Sequence, residues 1–381
     1  MKLSTLQENI KQGVFSVGHV AGKNINLPIL NNILIEAREG NIRLSATNLE
    51  IAVVNRVRGK IEAEGIITVD AKIITDYISI LPNKKVDIEV KENKISIKCD
   101  NYKTKIAGQS AEDFPLIPQV EKDEEIIINA EEFKKGVAQV IFAVSTNETR
   151  LELTGILFDF IDGHLIMAAT DSYRLAEKKI KIKKNSKNKE AKKSNKIIVP
   201  AKTLQELLRV ISTVKDAEAI EGEISDVKLY ISDSQILFTY GTIELVSRLI
   251  EGQYPDYKQI IPATSQTQGL VNKNELVRAV KASSIFSRTG INDINIDLPG
   301  AKNQIIISSA SGQTGENITE LDAKVQGADN GAVVNYKYLL DGLNNIDDEN
   351  VRLEIIDSNT PCVLKPEKED GYVYIIMPIK Q

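Results

Sequence analysis

Histidine, cysteine and tryptophan are scarce in this 381-residue chain, which has two histidines, two cysteines and no tryptophan. Cys99 and Cys362 are too few for a disulfide framework or a cysteine-based zinc site. His19 and His164 lie far apart and show neither HExxH nor any other paired-ligand spacing. We therefore expect no metal site and no cofactor.

Long apolar runs are missing as well. The longest are about as long as a strand, so none could span a bilayer as a helix. Near the N-terminus, Glu8 stands where a signal peptide would have its apolar stretch. These absences predict a cytoplasmic protein with no membrane partner.

The sequence shows no catalytic constellation. Residues 18–24 form a segment one residue short of a phosphate-binding loop, and it follows a helix where that loop requires a strand. Asp171 lies in a turn-like sequence, where capping of local backbone amides explains it better than catalysis does. We expect that the chain is not an enzyme. A hydrolase or transferase with an unrecognised site is the alternative.

Positive charge is not in excess, since the net charge is −5 and the pI is about 5.5. Domains that hold nucleic acid by bulk charge are usually basic, so such a role must depend on where the charges lie. Apolar periodicity predicts helices over 3–18, 71–81, 131–144, 201–213, 273–288 and 336–345. The formal charges of Lys, Arg, Asp and Glu in these helices sum to +4, which leaves −9 for the remainder of the chain. This polarity suits helices that line a hole of DNA size with strands outside them.

What the sequence does contain is a threefold repeat. An apolar-periodic helix near a phenylalanine recurs at Phe15, Phe142 and Phe286. A β run followed by a lysine and a short helix recurs in the same order, at Lys72, Lys202 and Lys337. We predict three homologous modules over residues 1–120, 125–255 and 262–381, with linkers near 119–124 and 261–268.

Between the helices, apolar and polar residues alternate as in half-buried strands, for example over 41–47, 87–90, 95–98, 227–231 and 351–355. The segments 39–41 and 162–163 are predicted hairpin turns. The fold class is therefore α+β, with helices on one face of antiparallel sheets. The lysine-rich segment 183–196 is either a solvated hairpin loop or a basic finger that faces DNA.

Module size limits how such a chain could surround DNA. A domain of about 125 residues behaves as a ball roughly 36 Å across, so three in contact leave a central gap of only about 6 Å, whereas six leave about 36 Å. Duplex DNA is roughly 20 Å wide. A ring around DNA therefore requires two chains in head-to-tail contact.

Six segments carry a resemblance to a known family, and together they sample the whole chain: 27–32, 46–50, 113–115, 169–176, 251–257 and 374–379. At these segments the sequence resembles the bacterial sliding clamps, the β subunits of the replicative DNA polymerase. The resemblance implies a homodimeric ring of three clamp modules per chain, with helices inside and sheets outside. Such a ring encircles double-stranded DNA without sequence preference, is loaded by a clamp loader, and tethers the replicative polymerase, repair polymerases and other proteins with clamp-binding motifs. The alternative is a repeated protein-interaction scaffold that does not bind DNA.

In this family, partners insert a short peptide motif into an apolar pocket between the second and third modules. Tyr173 stands where the family often has His, and Gln259 where it often has Arg, so we expect the polar rim of the pocket to differ. The positions that match the pocket are Leu153, Thr170, Tyr173, Arg174, Leu175, Pro255, Ile260, Asn335, Tyr338, Pro361, Ile375, Met377, Pro378 and Ile379.

The resemblance also implies positions for contacts with DNA and for the dimer interface. The DNA-contact positions are Lys23, Asn24, Asn147, Arg150 and Lys202. At the interface, Ile73 and Ile106 of one chain should meet Ile285 and Phe286 of the other, while Lys103 and Lys105 face Glu316 and Glu320 across a pairing of edge strands.

Overall fold

A computed structural model describes residues 1–22, 25–185, 195–213 and 225–380. The chain forms two compact units. One contains Met1–Glu131, Ile182–Glu190 and Lys202–Leu249, and the other contains Glu132–Lys181, Ala191–Ala201 and Ile250–Gln381. Within the described ranges, no helix is both long enough and apolar enough to cross a membrane.

The helices of the described residues are α1 (Gln7–Gly18), α2 (Ala71–Ile80), α3 (Ala130–Ile141), α4 (Ala201–Thr213), α5 (Lys273–Ser284) and α6 (Tyr336–Asn344). The strands of the first predicted module are β1 (Lys2–Leu6), β2 (Asn32–Arg38), β3 (Asn41–Thr47), β4 (Ile51–Val57), β5 (Gly59–Ala63), β6 (Gly65–Asp70), β7 (Lys85–Lys91), β8 (Lys94–Cys99) and β9 (Tyr102–Gln109). Those of the second are β10 (Ile126–Asn129), β11 (Gly155–Ile161), β12 (His164–Thr170), β13 (Arg174–Lys181), β14 (Lys184–Asn185), β15 (Asn195–Pro200), β16 (Asp226–Ile231), β17 (Gln235–Tyr240) and β18 (Ile243–Arg248). Those of the third are β19 (Thr267–Asn272), β20 (Asp293–Leu298), β21 (Gln304–Ser311), β22 (Gly315–Gly327), β23 (Asn330–Asn335), β24 (Asn350–Ile355), β25 (Cys362–Pro366) and β26 (Tyr372–Ile376).

Each unit contains one continuous sheet, in which the described strand pairs are antiparallel. In the first unit the order is β14-β10-β16-β17-β18-β4-β3-β2-β6-β9-β8-β7-β1-β5. In the second it is β15-β11-β12-β13-β26-β25-β24-β19-β22-β21-β20-β23. Strands of different modules meet where β4 pairs with β18, which we call the first joint, and where β13 pairs with β26, which we call the second joint.

The helices lie on these sheets through their apolar faces. α1 packs on β3 and β4, and a Cβ at Gly13 would come within 2.7 Å of the Leu44 side chain, so the glycine permits the close approach. α5 packs on β21 and β22 and against α6. Its first turn is capped by Asn272, whose side chain accepts from the amides of Asn274 and Glu275. This arrangement confirms the predicted α+β class.

Three helix boundaries differ from the prediction by three residues or more, each for a physical reason. The first helix begins at Gln7 rather than at residue 3, because Lys2–Leu6 is a strand that pairs with β5 and β7 and buries Leu3.

The third helix ends at Ile141 rather than at residue 144, because the amides of Ala143 and Val144 bond three residues back. The fifth helix ends at Ser284 rather than at residue 288. The next amides, including that of Phe286, bond three residues back, which tightens the last turn.

The predicted strands and turns are confirmed. A two-residue turn with Glu39 and Gly40 at positive φ joins β2 to β3, and Asp162 and Gly163 join β11 to β12 in the same way. The predicted linker 119–124 lies between strands, while the predicted linker 261–268 is shortened because β19 begins at Thr267. Most of the lysine-rich segment, residues 186–194, lies outside the described residues.

Candidate functional site

The turn between β12 and β13 holds several predicted pocket residues. The Thr170 hydroxyl donates to the carbonyl oxygen of Arg174 at 2.6 Å and accepts from the amide of Ser172 at 3.1 Å. Asp171 Oδ1 accepts from the amides of Tyr173 at 2.9 Å and Arg174 at 3.0 Å, and Ser172 has a φ of 79°. Asp171 is thus a turn cap, as the sequence predicted.

The second joint supplies an apolar floor beside this turn. Leu175 lies opposite Ile375, which lies opposite Val363 on its other side. All three are buried in one apolar cluster. The amide of Met377 donates to the carbonyl oxygen of Tyr173 at 2.9 Å, so the pairing continues past the end of β26. Met377 is 36% exposed and Tyr173 is 63% exposed, so the joint presents apolar side chains to solvent above a buried floor.

Arg174 is held on all sides beside this floor. Its Nε lies 2.9 Å from Asp171 Oδ2, and its Nη1 lies 2.5 Å from Asp341 Oδ2. The guanidinium carbon lies 4.7 Å from the ring centre of Tyr338 and 5.6 Å from that of Phe142. A planar guanidinium suits both the two carboxylates and the two ring faces, so Arg174 forms a fixed polar wall.

The C-terminal tail and α6 border the same region. The amide of Ile379 donates to the carbonyl oxygen of Val333 at 2.7 Å, which places the tail along β23. Asn335 caps α6 by accepting from the amide of Lys337 at 2.9 Å. The Tyr374 hydroxyl donates to the carbonyl oxygen of Tyr338 at 2.9 Å.

The remaining predicted pocket residues lie in the same unit but differ in exposure. Leu153 is 2% exposed, so it belongs to the floor. Ile260 is 44% exposed and follows Tyr257 in a short 3₁₀ turn. The predicted prolines are half-buried: Pro255, Pro361 and Pro378.

Sequence reasoning missed three residues that complete the site. Phe142 and Asp341 hold Arg174, and Tyr257 packs in the cluster with Leu175. The Tyr257 hydroxyl donates to Glu177 Oε2 at 2.5 Å, and burial, assisted by the Glu177 charge, raises the pKa of Tyr257. Tyr257 lies in the segment 251–257, and the resemblance of this segment to the family could have identified it. No feature of the sequence indicated the contact of Arg174 with Asp341, which lies 167 residues away.

The predicted DNA-contact residues have different surroundings. Lys23 and Asn24 lie outside the described residues. Lys202 is exposed on the first turn of α4. Asn147 is exposed and caps a turn by accepting from the amide of Thr149 at 3.0 Å.

Arg150 is already engaged within its own unit. Its Nε lies 3.0 Å from Glu152 Oε1, and its Nη1 donates to the Ser172 hydroxyl at 3.2 Å.

Two strand edges carry the predicted interface residues. Tyr102–Ala107 of β9 pairs with β8 on one side, while β6 reaches only Gly108 and Gln109 on the other. Lys103 and Lys105 are exposed on this edge. Ile106 is only 8% exposed because it packs within its own module, which leaves little of its side chain for a partner.

The second edge belongs to β22. Gly315–Asp322 pairs with β21, and β19 pairs only with the later part, from Ala323 onward. Glu316 and Glu320 are exposed here, with Ile318 between them at 64% exposure. Sequence reasoning missed Ile318.

The apolar residues predicted for the interface lie on or beside helices. Ile73 on α2 is 53% exposed, and Ile285, just after α5, is 69% exposed. Phe286 is half-buried, and its ring lies 3.8 Å from the position of a Cβ on Gly315. Exposed apolar side chains beside unpaired edges are typical of interfaces.

Comparison with known proteins agrees with this architecture. Models of the DNA polymerase III beta subunit match in order: the N-terminal domain over residues 1–118, the central domain over 127–256 and the C-terminal domain over 258–380. A beta sliding clamp from Staphylococcus epidermidis is 30% identical over 93% of this chain and 92% of its own length.

Solved structures agree with these matches. A DNA polymerase sliding clamp from Bacillus subtilis is 26% identical and superimposes with a TM-score of 0.90 over 100% of this chain and 99% of its own. A DNA polymerase III beta subunit from Pseudomonas aeruginosa is 25% identical, with a TM-score of 0.90 over all of both chains. The chain therefore belongs to the family of DNA polymerase III beta subunits, the beta sliding clamps.

Proposed function

We propose that this chain is the processivity clamp of a replicative DNA polymerase, a non-catalytic ring that encircles duplex DNA and tethers enzymes to it. The observation that carries the proposal is the ordered match of all three clamp domains along one chain. A ring that must slide needs few contacts with DNA, because each phosphate contact adds grip and salt dependence. A net charge of −5 fits such topological retention. Its place of work is the cytoplasm, where bacterial DNA is replicated.

Two chains close the ring through their unpaired edges. The β9 edge with Lys103 and Lys105 is complementary in charge to the β22 edge with Glu316 and Glu320. Pairing of the two edges satisfies backbone groups that would otherwise be exposed at a sheet edge. Because the two edges differ, the contact is head-to-tail, and two such contacts give a closed dimer.

The second joint is the partner site. Partners with clamp-binding motifs, among them the replicative polymerase, the clamp loader and repair polymerases, insert an apolar anchor over Leu175 and Ile375. Met377 and Tyr173 flank the anchor, and Arg174 forms the polar wall. Such a buried floor with a fixed polar side is the usual form of a peptide pocket.

The ring itself is tested by mass and by topology. Native mass should be twice 42.1 kDa, and a strict monomer at micromolar concentration would contradict the ring. Protein loaded by its clamp loader should stay on circular DNA and leave linear DNA. Equal retention on both would instead indicate ordinary DNA binding, and retention on neither would indicate a protein scaffold.

The partner site is tested by titration with a labelled, end-capped peptide, Gln-Leu-Ser-Leu-Phe. Binding to the folded dimer should saturate and should be lost in Leu175→Ala and Met377→Ala. Leu229→Ala, at a leucine buried like Leu175 but in the first unit, is a matched aliphatic control. Absence of binding to the folded wild-type dimer would remove the pocket assignment while leaving the ring intact.

A further inference from the structure

A polar cavity of about 460 Å³ lies at the edge of the third module. Its wall includes Asn295 and Asp297 from β20, residues 331–333 from β23, and Ser358 and Asn359 from the loop before β25. Ile379 of the C-terminal tail completes the wall. Among the described residues that line it, Asp297 is the only charged one. A cavity of this size can hold one long side chain together with water.

The Asp297 carboxylate lies in this cavity without compensation. None of the described residues forms a hydrogen bond or an ion pair with it, and burial by the surrounding protein raises the pKa of Asp297. The side chain is nevertheless open to solvent through the cavity mouth. A carboxylate that lines a cavity and has no ion-pair partner among the described residues is available to a cation of a ligand, and groups with a shifted pKa are concentrated at functional sites.

The backbone beneath Asp297 is shaped around it. Gly331 lies directly opposite Asp297 in the pairing of β20 with β23. A Cβ at Gly331 would fall 2.6 Å from Asp297 Oδ1, so a larger residue would push the carboxylate away. The amide of Gly331 is taken by the Asn330 side chain at 2.9 Å, which leaves the carboxylate free to accept from a ligand.

The cavity and the proposed partner site share one residue, Ile379. Its amide bonds to Val333, another residue of the cavity wall. The opposite edge of this part of the sheet is the unpaired half of β22, so closure of the proposed ring would leave the cavity open. A peptide extends by about 3.3 Å per residue, so residues next to an anchored motif can reach the cavity.

We infer that this cavity, here called the Asp297 cavity, binds a basic side chain, lysine or arginine, that flanks the apolar anchor of a partner peptide. The inference rests on the proposed partner site at the second joint. The ammonium or guanidinium group pairs with the Asp297 carboxylate, and Asn295, Ser358 and Asn359 provide further hydrogen-bonding groups. The methylene stem lies along Ile379. Partners with a basic flank are thereby preferred over partners with an acidic one.

The test uses the full-length dimer and end-capped peptides built on Gln-Leu-Ser-Leu-Phe. One flanking residue, at each of the three positions before and after the motif, is made Lys, Ala or Glu in turn. At one flank at least, the wild type should bind the Lys peptide about two- to fivefold more tightly than the Ala peptide, as expected for a partly exposed ion pair, and should bind the Glu peptide most weakly. Asp297→Asn should abolish this ranking. Asp233→Asn, which removes the same charge from an exposed turn of the first unit, should keep it.

Two outcomes would overturn the inference, and they are distinguishable. If the Ala peptides bind but Lys and Glu make no difference at any position, the Asp297 cavity is not a partner subsite and the proposed pocket stands. The same holds if the ranking survives in Asp297→Asn, because another group then reads the charge. If no peptide binds the folded wild-type dimer, the partner site itself fails, and the cavity assignment fails with it.

Discussion

The first and second joints have the same backbone geometry but differ in their side chains. At the second joint, the Thr170 hydroxyl bonds to the ends of a turn that Asp171 caps and that contains Ser172 at a φ of 79°. At the first, Thr47, Asn48 and Leu49 repeat the same arrangement. Thr47 Oγ1 donates to the carbonyl oxygen of Ile51 at 2.9 Å and accepts from the amide of Leu49 at 3.0 Å, and Leu49 has a φ of 77°.

The continuation of each turn is repeated as well. Asn48 Oδ1 accepts from the amides of Glu50 and Ile51, as Asp171 does at the second joint. The amide of Arg248 donates to the carbonyl oxygen of Glu50 at 3.1 Å, which corresponds to the bond from Met377 to Tyr173. Backbone geometry therefore does not decide which joint binds a partner.

The two joints differ in the size and charge of their side chains. In equivalent positions, Leu175 faces Ile375 at the second joint, whereas Ala52 faces Val246 at the first. Val246 packs in a small cluster that includes Val120 of the chain's own linker, and the position of Met377 is taken by Arg248. The first joint thus has a smaller floor and a cation at its rim, so an apolar anchor gains little by binding there.

The largest expected effect comes from truncating the two floors. Leu175→Ala should lower the free energy of unfolding by about 2–5 kcal/mol and weaken peptide binding at least about 30-fold, as expected for a central anchor contact. Val246→Ala should cost about 1.5–3 kcal/mol without affecting the peptide. Urea unfolding and peptide titration measure the two effects. Equal losses of peptide affinity in both variants would contradict the difference between the joints.

A second experiment compares the shared turn bonds. Thr170→Val and Thr47→Val keep the side-chain shape but remove both hydrogen bonds of a buried hydroxyl, so each should cost about 1–3 kcal/mol of stability. Hydrogen exchange of the Ser172 and Leu49 amides should accelerate in the matching variant only. A large cost at one turn and none at the other would show that the two turns are not energetically equivalent.

The first joint has Asn48 where the second has Asp171, so exchanging this one side chain is a third experiment with a smaller expected effect. Asp171→Asn places the side chain of the first joint in the second. Its amide oxygen can still cap the turn, so we expect at most about 1 kcal/mol of lost stability, whereas Asp171→Ala should cost about 0.5–2 kcal/mol through loss of the cap. Both variants release Arg174 from one carboxylate and should weaken peptide binding. Unchanged affinity in both would mean that the contact of Asp171 with Arg174 contributes nothing to peptide binding.

Local pattern in the sequence predicted most of the fold, because periodicity reports which face of an element is buried. The periodicity located the helices, and it identified strands such as Asn41–Thr47 correctly. It failed at Lys2–Leu6, which is short and adjoins a helix, and whose strand pairing depends on β5 and β7, more than fifty residues away.

The candidate site was less accessible, because its contacts join distant segments. Resemblance, not periodicity, identified Leu175 and Met377. Asp297 looks like any polar residue on an alternating strand, and only the structure shows the cavity around it. Ile318 was missed for a similar reason. An isoleucine between two glutamates becomes significant only when the structure shows that this part of β22 pairs with β21 on one side, while β19 pairs only with the later part of the strand.

The smallest expected effect tests whether the shared turn is a property of the backbone alone. Left-handed conformation costs a non-glycine residue about 1–2 kcal/mol, while glycine loses about 0.5–1 kcal/mol through the entropy of the unfolded chain. Leu49→Gly and Ser172→Gly should therefore each change stability by no more than about 1 kcal/mol in urea unfolding.

The control is Leu49→Val, because a β-branched residue is poorly tolerated at positive φ and should be clearly worse than glycine. Ser172→Gly also removes the bond from Arg150 to the Ser172 hydroxyl, and Leu49→Gly also removes a leucine side chain that is 47% exposed. That bond is exposed and should contribute less than about 1 kcal/mol. A loss well above this value in Ser172→Gly alone would mean that the second joint needs its side chains to hold the turn, and that the two backbones are alike in geometry only.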